Sequence, residues 1–508
     1  MKASKRWRSG WWSPGVTLGV AAAAFSQTPP VPLNVHWDKT VNVSQTTPTL
    51  QVVVNPPLRR GTAVHDQAFQ ALRDLNADYV RYVPWLPYPK LGIAELEAPK
   101  DGTTSWDFSL IDPMTIDFLE ATAGHPVTVN FSTIPAWMFK TDKPVEYPND
   151  PNQVTWTYTQ GTELRDPTFK EPADYYGRLL AWYTQGGFLD EFGKPHHSGF
   201  HYKISHWEVL NELELEHQMT PETYTKFYDA VVTSMHKVSP ETKFVGLALA
   251  YPPAGPEYFE YFLNPAHHAP GVPLDYISYH FYAIPSTDQS PEIQQFTFFA
   301  QADGFLNTVR YIEQIRKRLS PETKTMVNEI GAISADDLVQ GETGHVTQPI
   351  PNSYWGLAAA VYAYIFGEFT RMGIDVAGES QLVGFPTQFP SVSMVDWNNG
   401  KPNPRYWVLK LLKDQFGPGD KVVEIAGRGS GISGSSAYAM AVVTKDGKKR
   451  VLLVNERDHA IQVGIPGATG GEQMYVDQTT AFEPPAKTKL NRDEVMLNGY
   501  SVAAVTLP

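Results

Sequence analysis

The sequence predicts an α/β fold: a (β/α)8 TIM barrel followed by a C-terminal β-sandwich module. Strand-like and helix-like segments alternate eight times over about 370 residues, which is the pattern and the length of such a barrel. The fourth and seventh strand-like segments end in a glutamate, at the end of a barrel strand where functional groups are exposed. After Gly417-Pro418-Gly419 the pattern changes to short alternating segments, which are typical of an all-β module.

Each barrel unit begins with an apolar or alternating run and continues into a segment of helical periodicity. The predicted strands cover 50–54, 79–83, 127–131, 204–210, 244–248, 276–282, 325–329 and 376–383. The predicted helices cover 66–75, 111–121, 175–183, 221–236, 258–263, 305–319, 354–370 and 406–416. Thr220 is the predicted N-cap of the fourth helix, because a threonine hydroxyl accepts a hydrogen bond from an exposed amide of the first turn.

The β-module is predicted from the segments 437–443, 450–454 and 501–507, which turn residues separate. We therefore divide the chain into four parts. These are a signal peptide (1–27), an N-terminal extension that is a candidate strand of the β-module (28–48), the barrel (49–418) and the C-terminal sandwich (419–508).

The N-terminus has the pattern of a signal peptide. Basic residues within 2–8 precede an apolar stretch at 16–25, and Ala22 and Ala24 form an Ala-x-Ala-like cleavage site. The apolar stretch is too short to span a bilayer comfortably, and the alternatives to a signal peptide are an uncleaved anchor and a disordered leader. We expect a secreted or periplasmic protein without membrane contact after cleavage.

Composition excludes several classes of function. The formal net charge of −13 argues against a nucleic-acid partner, because the two would repel each other. The chain has no cysteine, so it has no disulfides, no thiolate metal site and no cysteine nucleophile. Histidines 196, 197, 201 and 206 lack a carboxylate at ligand spacing, which favours solvated loop histidines over a zinc site. We predict that the protein binds no metal and no cofactor. The sequence gives no indication of the oligomeric state.

The two glutamate-ending strands carry the strongest chemical signal. The fourth strand ends in Asn211-Glu212 and the seventh in Asn328-Glu329. By strand alternation we expect Thr325, Val327 and Glu329 to share one face. Two carboxyl groups that face each other across a pocket are the machinery of glycoside hydrolysis, and an asparagine beside the acid can bind the sugar 2-hydroxyl.

The sixth strand and the second strand supply further polar groups. His280 and Tyr282 fall on the face that we expect to point into the barrel. Tyr282 can donate a hydrogen bond to Glu329 and keep it ionised, and Arg81 would favour the same charged state. His280 can bind the substrate or the acid.

These residues resemble clan A of the retaining glycoside hydrolases, and within it family 39, the family of β-xylosidases and α-iduronidases. The resemblance implies that Glu212 is the acid/base and Glu329 the nucleophile, with a carbohydrate as the substrate. The segments that carry the family resemblance are 175–187 followed by 206–209, Trp106-Asp107-Phe108 and Pro404-Arg405-Tyr406.

Aromatic residues are abundant, and sugar rings stack on aromatic surfaces. Trp85, Trp137 and Trp397 lie in predicted loops at strand ends and are candidate substrate-binding residues, although packing in the core or in a loop is the alternative for each. The long segments 139–168 and 191–202 are expected to shape a pocket, which favours an exo-acting β-glycosidase of the β-xylosidase type.

Other interpretations stay open. Three further carboxyls lie near Glu212 in the sequence: Glu208, Glu214 and Glu216. They are weaker candidates for the catalytic acid, because they fall on other register positions of the strand or in the loop. The alternatives for function are a non-catalytic carbohydrate-binding barrel, an endo-acting glycanase of the same clan, and a metal-dependent barrel hydrolase that chelation would inactivate.

Overall fold

A computed structural model of the protein describes residues 31–155, 161–287, 289–340, 344–426 and 436–508. Its centre is a closed barrel of eight parallel strands. The barrel closes because the eighth strand pairs with the first, from Val376 opposite Thr47 to Glu379 opposite Leu50. The barrel confirms the predicted fold class. The predicted signal peptide, residues 1–27, lies outside the described residues.

The barrel strands are short and their ends differ from the predicted ends by a few residues. The first strand begins at Thr47, two residues before the barrel boundary that we predicted from the sequence. The strands are Thr47–Val53, Val80–Val83, Val127–Val129, His206–Glu208, Lys243–Leu249, Tyr276–Ala283, Lys324–Ala332 and Val376–Glu379.

Each strand is followed by a helix that packs on the outside of the barrel. In the first helix Ala68, Phe69, Leu72 and Leu75 are buried at helical spacing. Thr220 caps the fourth outer helix as predicted, since its hydroxyl accepts from the amide of Thr223 at 3.2 Å. The outer helices are His65–Leu75, Asp112–Ala121, Lys170–Thr184, Pro221–Val238, Pro256–Phe262, Pro291–Leu319, Asn352–Met372 and Pro404–Gln415. A single-turn helix, Leu213–Glu216, lies directly after the fourth strand, where the sequence predicts a loop.

The barrel interior changes character along its axis. Near the amino ends of the strands Val245, Met326 and Val376 form a small apolar cluster with Tyr276. Near the carboxyl ends the interior is polar and hydrogen-bonded. This arrangement places the polar groups at the end of the barrel where active sites of this fold lie.

The C-terminal module consists of two sheets that enclose a separate apolar core. The larger sheet contains, in spatial order, Ala486–Lys489, Glu472–Val476, Val502–Thr506, Lys449–Asn455, Ala437–Val443, Lys421–Ile425 and Val35–Val43. The smaller sheet contains Val31–Pro32, Ile461–Gly464 and Glu494–Leu497. Both strands that precede the barrel therefore pair with strands of the C-terminal module.

The central strands of the larger sheet are buried on both faces. Along one of its strands Ala437, Ala439 and Ala441 contribute to the core between the two sheets, whereas Tyr438 and Met440 belong to the core that includes the barrel. Because successive side chains of a strand point to opposite faces, this one strand contributes to both cores and so joins the module to the barrel. Across the described part of the chain, no helix has an apolar stretch of the length that a bilayer crossing needs.

Candidate active site

Glu329 points into the barrel because of an irregularity in the seventh strand. Tyr279 of the sixth strand lies opposite Val327, but the next residue, His280, lies opposite Glu329, so Asn328 is an extra residue. Such a bulge re-aims the side chains that follow it. The predicted shared face is therefore wrong: Val327 packs in the outer core and the Thr325 hydroxyl bonds to an outer helix, whereas Glu329 faces inward.

Two groups donate hydrogen bonds to the Glu329 carboxylate, and a histidine lies close to it. Arg81 Nη1 donates to Oε1 at 2.5 Å, and Tyr282 Oη donates to Oε2 at 2.7 Å. His280 Nε2 lies 3.7 Å from Oε1. Burial alone would raise the pKa of Glu329, but the charges of His280 and Arg81 and the hydrogen bond from Tyr282 outweigh it and hold this pKa below its ordinary value. Glu329 is therefore ionised at neutral pH.

Glu212 reaches the same space from the fourth strand. Its φ of 43° and the φ of 66° at Leu210 lie in the left-handed region, which turns the chain sharply after the strand. The Glu212 amide donates to Ala248 O at 2.9 Å, which ties the turn to the fifth strand. The Glu212 side chain is 19% exposed, against 9% for Glu329, so it is the more open of the two carboxyls.

His280 lies between the two carboxyls. Its Nδ1 is 3.0 Å from Glu212 Oε1, and one oxygen of each carboxyl and one ring nitrogen all lie within 4.8 Å of one another. Burial lowers the pKa of His280, but the charge of Glu329 and the hydrogen bond to Glu212 outweigh it, so this pKa lies above its ordinary value. These three residues have metal-binding atoms, yet Arg81 already supplies a cation at Glu329, and its charge opposes a metal ion there.

Arg81 is the centre of the hydrogen-bond network beneath the pocket. Besides Glu329, its guanidinium donates to Gln51 Oε1 at 2.7 Å, to Asn211 Oδ1 at 2.6 Å and to Glu208 Oε2 at 2.5 Å. Arg81 is fully buried, and two carboxylates, those of Glu208 and Glu329, share its single positive charge away from water. The guanidinium of Arg81 is planar and rigid, so its hydrogen bonds fix Glu329 and Asn211 relative to each other.

Glu208 has a different place from the one predicted. It is fully buried and points into the barrel beneath the site, where it accepts from Arg81 and from three further donors: Asn130 at 2.6 Å, Asn328 at 2.6 Å and Ser278 at 2.5 Å. All its bonding capacity is used inside the protein. Glu208 is thus the counter-ion of Arg81, and it has no access to a ligand.

The two carboxyls open into a cavity of about 250 Å³ at the carboxyl ends of the strands. Trp85, Asn211 and Tyr282, which the sequence predicts as substrate-binding residues, are among the residues that line it. The full lining is Gln51, Val53, Val83, Trp85, Asn211, Glu212, Tyr282, Glu329, Ile333, Ser380, Gln381, Phe389 and Val392. Gln381 and Phe389, which follow the eighth strand, carry no distinct signal in the sequence, because their loop has no recognisable pattern.

Two of the predicted tryptophans do not line this cavity. Trp137 donates to the carbonyl of Glu95 at 2.9 Å, and the guanidinium of Arg165 stacks over its ring at 4.6 Å. Trp397 packs partly buried against the main core. The lining also contains no described residue of 139–168 and none of 191–202, the segments that we expected to shape the pocket.

Comparison with known proteins agrees with this geometry. Residues 185–331, which contain Glu212, His280 and Glu329, match the family model described as Glycosyl hydrolases family 39. No curated protein matches the chain.

Solved structures share the fold at low sequence identity. A family 51 arabinofuranosidase from Xanthomonas axonopodis pv. citri superposes with a TM-score of 0.64 at 14% identity, over 94% of this chain and 99% of that one. A family 51 α-L-arabinofuranosidase from Bifidobacterium longum gives 0.62 at 14% identity, over 95% and 100%. The family 30 xylanase C catalytic domain from Talaromyces cellulolyticus gives 0.59 at 12% identity, over 94% and 100%. Residues 185–331 therefore match the model of glycosyl hydrolases family 39, the similar structures share the barrel fold, and the chain is a glycoside hydrolase.

Proposed function

We propose that this protein is a retaining, exo-acting β-glycosidase of the β-xylosidase type. The observation that carries the proposal is the pair of carboxyls in one pocket. Glu329 is held ionised by Arg81 and Tyr282, whereas Glu212 lies opposite and is the more open of the two. A nucleophile must be charged and an acid/base must reach the leaving group, and these two environments suit those two roles.

The reaction has two steps. In the first, a Glu329 oxygen attacks the anomeric carbon as the bond to the leaving oxygen breaks, and Glu212 gives its proton to that oxygen. In the second, Glu212 takes a proton from water, and the water oxygen displaces Glu329 from the anomeric carbon. Each step inverts the anomeric carbon, so the product keeps the configuration of the substrate.

The distance between the carboxyls supports retention. Retaining enzymes hold them about 5–5.5 Å apart, whereas inverting enzymes leave about 6.5–9.5 Å for a water molecule. One oxygen of Glu212 and one of Glu329 lie within 4.8 Å of each other. This approach lies nearer to the retaining range than to the inverting range.

The size of the pocket supports exo action. A cavity of about 250 Å³ is small for a ligand site and suits a single sugar ring better than a bound chain. Trp85 and Phe389 supply aromatic surface in its wall. The similar structures include an arabinofuranosidase and a xylanase, which are named for the pentoses arabinose and xylose, and this supports a pentose as the first sugar to test.

The test is hydrolysis of a panel of aryl α- and β-glycosides by the wild type, Glu329→Ala and the control Glu214→Gln. Glu214 lies in the same turn as the acid but accepts from the Tyr251 amide, and it is absent from the cavity lining. We expect turnover of one β-glycoside, its loss in Glu329→Ala, and NMR detection of the β-anomer as first product. Release of the α-anomer would refute retention, and absence of turnover on all substrates, including oligosaccharides, would favour a binding protein.

The signal-peptide pattern leads to a second proposal, that the mature protein is exported to the periplasm or the medium. N-terminal sequencing of protein from the extracellular and periplasmic fractions tests it. We expect the mature chain to begin near residue 28, and an intact N-terminus in the cytoplasmic fraction would contradict export.

A further inference from the structure

A third carboxyl, Glu216, lies behind the pocket wall, and neither of the proposed catalytic steps uses it. It ends the single-turn helix Leu213–Glu216, and its amide donates to Glu212 O at 2.8 Å. This turn brings its side chain back toward the barrel. There Glu216 Oε1 accepts from Asn211 Nδ2 at 2.8 Å and from Trp85 Nε1 at 2.7 Å. Both donors belong to residues that line the cavity, whereas Glu216 itself does not line it.

The bonds of Asn211 fix its amide completely. Its Oδ1 accepts from Arg81 Nη2 at 2.6 Å, and its Nδ2 donates to Glu216. Arg81 can only donate, so the amide oxygen must face it and the amide nitrogen must face Glu216. The nitrogen carries a second N–H, and Asn211 is part of the pocket wall beside Glu212.

The bonding of Glu216 is that of a neutral carboxylic acid. Both donors meet Oε1, whereas Oε2 is buried and has no hydrogen-bond partner among the described residues. Burial, and next the charge of Glu212, raise the pKa of Glu216 well above its ordinary value. A neutral Glu216 accepts from its donors without placing a like charge beside the acid/base.

We propose that Glu216 is a positioning residue, which fixes the Asn211 amide so that its second N–H meets the 2-hydroxyl of the sugar in the pocket. This inference rests on the proposed glycosidase function. Hydrogen bonds to the 2-hydroxyl strengthen in the transition state of glycoside cleavage. If the Asn211 amide could rotate, part of this stabilisation of the transition state would be lost. Glu216 therefore acts on the rate through Asn211 and does not touch the substrate.

The test combines variants with a change in the substrate. Glu216→Met keeps the volume and removes the acceptor, Glu216→Gln keeps a neutral acceptor, and Glu214→Ala removes the other carboxyl of the same turn. For each protein, kcat/KM is measured on the aryl glycoside that the wild type cleaves and on its 2-deoxy analogue. Thermal unfolding of each variant is recorded beside the kinetics.

We expect Glu216→Met to lose roughly tenfold in kcat/KM on the 2-hydroxy substrate, which corresponds to the free energy of about one hydrogen bond. The loss on the 2-deoxy analogue should be much smaller. Glu216→Gln should restore the ratio between the two substrates, and Glu214→Ala should leave it unchanged. Equal losses on both substrates, no loss in Glu216→Met, or a changed ratio in Glu216→Gln would each overturn the inference. A wild type that cleaves neither substrate nor any other glycoside would instead refute the proposed function, and the inference with it.

Discussion

The hydrogen bond from Tyr282 to Glu329 gives a sharp test of how the proposed nucleophile is kept ionised. Tyr282 Oη donates to Glu329 Oε2 at 2.7 Å inside the protein. A hydrogen bond to a charged group contributes about 1.5–3 kcal/mol, and 1.36 kcal/mol is one pKa unit, so Tyr282→Phe should raise the pKa of Glu329 by about 1–2 units. Arg81 stays in place, so the nucleophile remains ionised at neutral pH.

The expected result is a shift in the pH profile of kcat/KM. Glu329 must be ionised to attack, so activity falls as the pH drops through its pKa. Because that pKa is depressed in the folded enzyme, the acidic limb of the wild type lies at low pH. In Tyr282→Phe we expect the acidic limb to move up by about 1–2 pH units, which means a loss of roughly ten- to hundredfold in kcat/KM on that limb.

Tyr279→Phe is the matched control. Tyr279 lies on the same strand and is fully buried, but it packs in the outer core, and its hydroxyl has no hydrogen-bond partner among the described residues. Removal of this hydroxyl should leave the acidic limb where it is. An unchanged limb in Tyr282→Phe, or an equal shift in both variants, would refute the assignment of the limb to Glu329.

The remaining predictions concern stability and cofactor dependence. Arg405→Met should lower the apparent stability by about 3–5 kcal/mol in thermal unfolding, because it leaves the fully buried Glu379, 2.8 Å from Arg405 Nε, without its counter-ion. An unfolding curve like that of the wild type would contradict this pairing. Thr220→Ala should cost about 1 kcal/mol through loss of the helix cap, with kcat/KM unchanged. Dialysis against EDTA should leave kcat/KM unchanged, since Arg81 already pairs with Glu329 and its charge opposes a metal ion there, and a loss that zinc restores would favour the metal-dependent alternative.

Much of the barrel could be predicted because its determinants are local. Apolar strands and amphipathic helices each have a period that the sequence displays, and the cap at Thr220 depends on residues that are adjacent in the chain. Glu212 and Glu329 could be found for the same reason. An acidic residue at the end of an apolar strand is costly to bury, so it indicates a function.

The direction of the side chains could not be predicted from alternation. The sequence contains no sign that Asn328 is an extra residue, because a bulge is a property of two paired strands and not of one. In the same way, Glu208 and Glu216 lie near one another in sequence, but only their distant partners determine their environments. Arg81 makes Glu208 a buried counter-ion, whereas Trp85 and Asn211 bind Glu216 behind the pocket.

By itself, the sequence determined the barrel and sandwich classes, the two carboxyls and the strands that carry them. Only the tertiary structure decided which tryptophan faces the pocket, that Arg81 joins Glu329 to Asn211, and that the first strands complete the C-terminal sheets. The physical reason is the range of the interactions. Periodicity and capping act between near neighbours in the chain, whereas charge pairing, bulges and cavity walls depend on residues that only the closed barrel brings together.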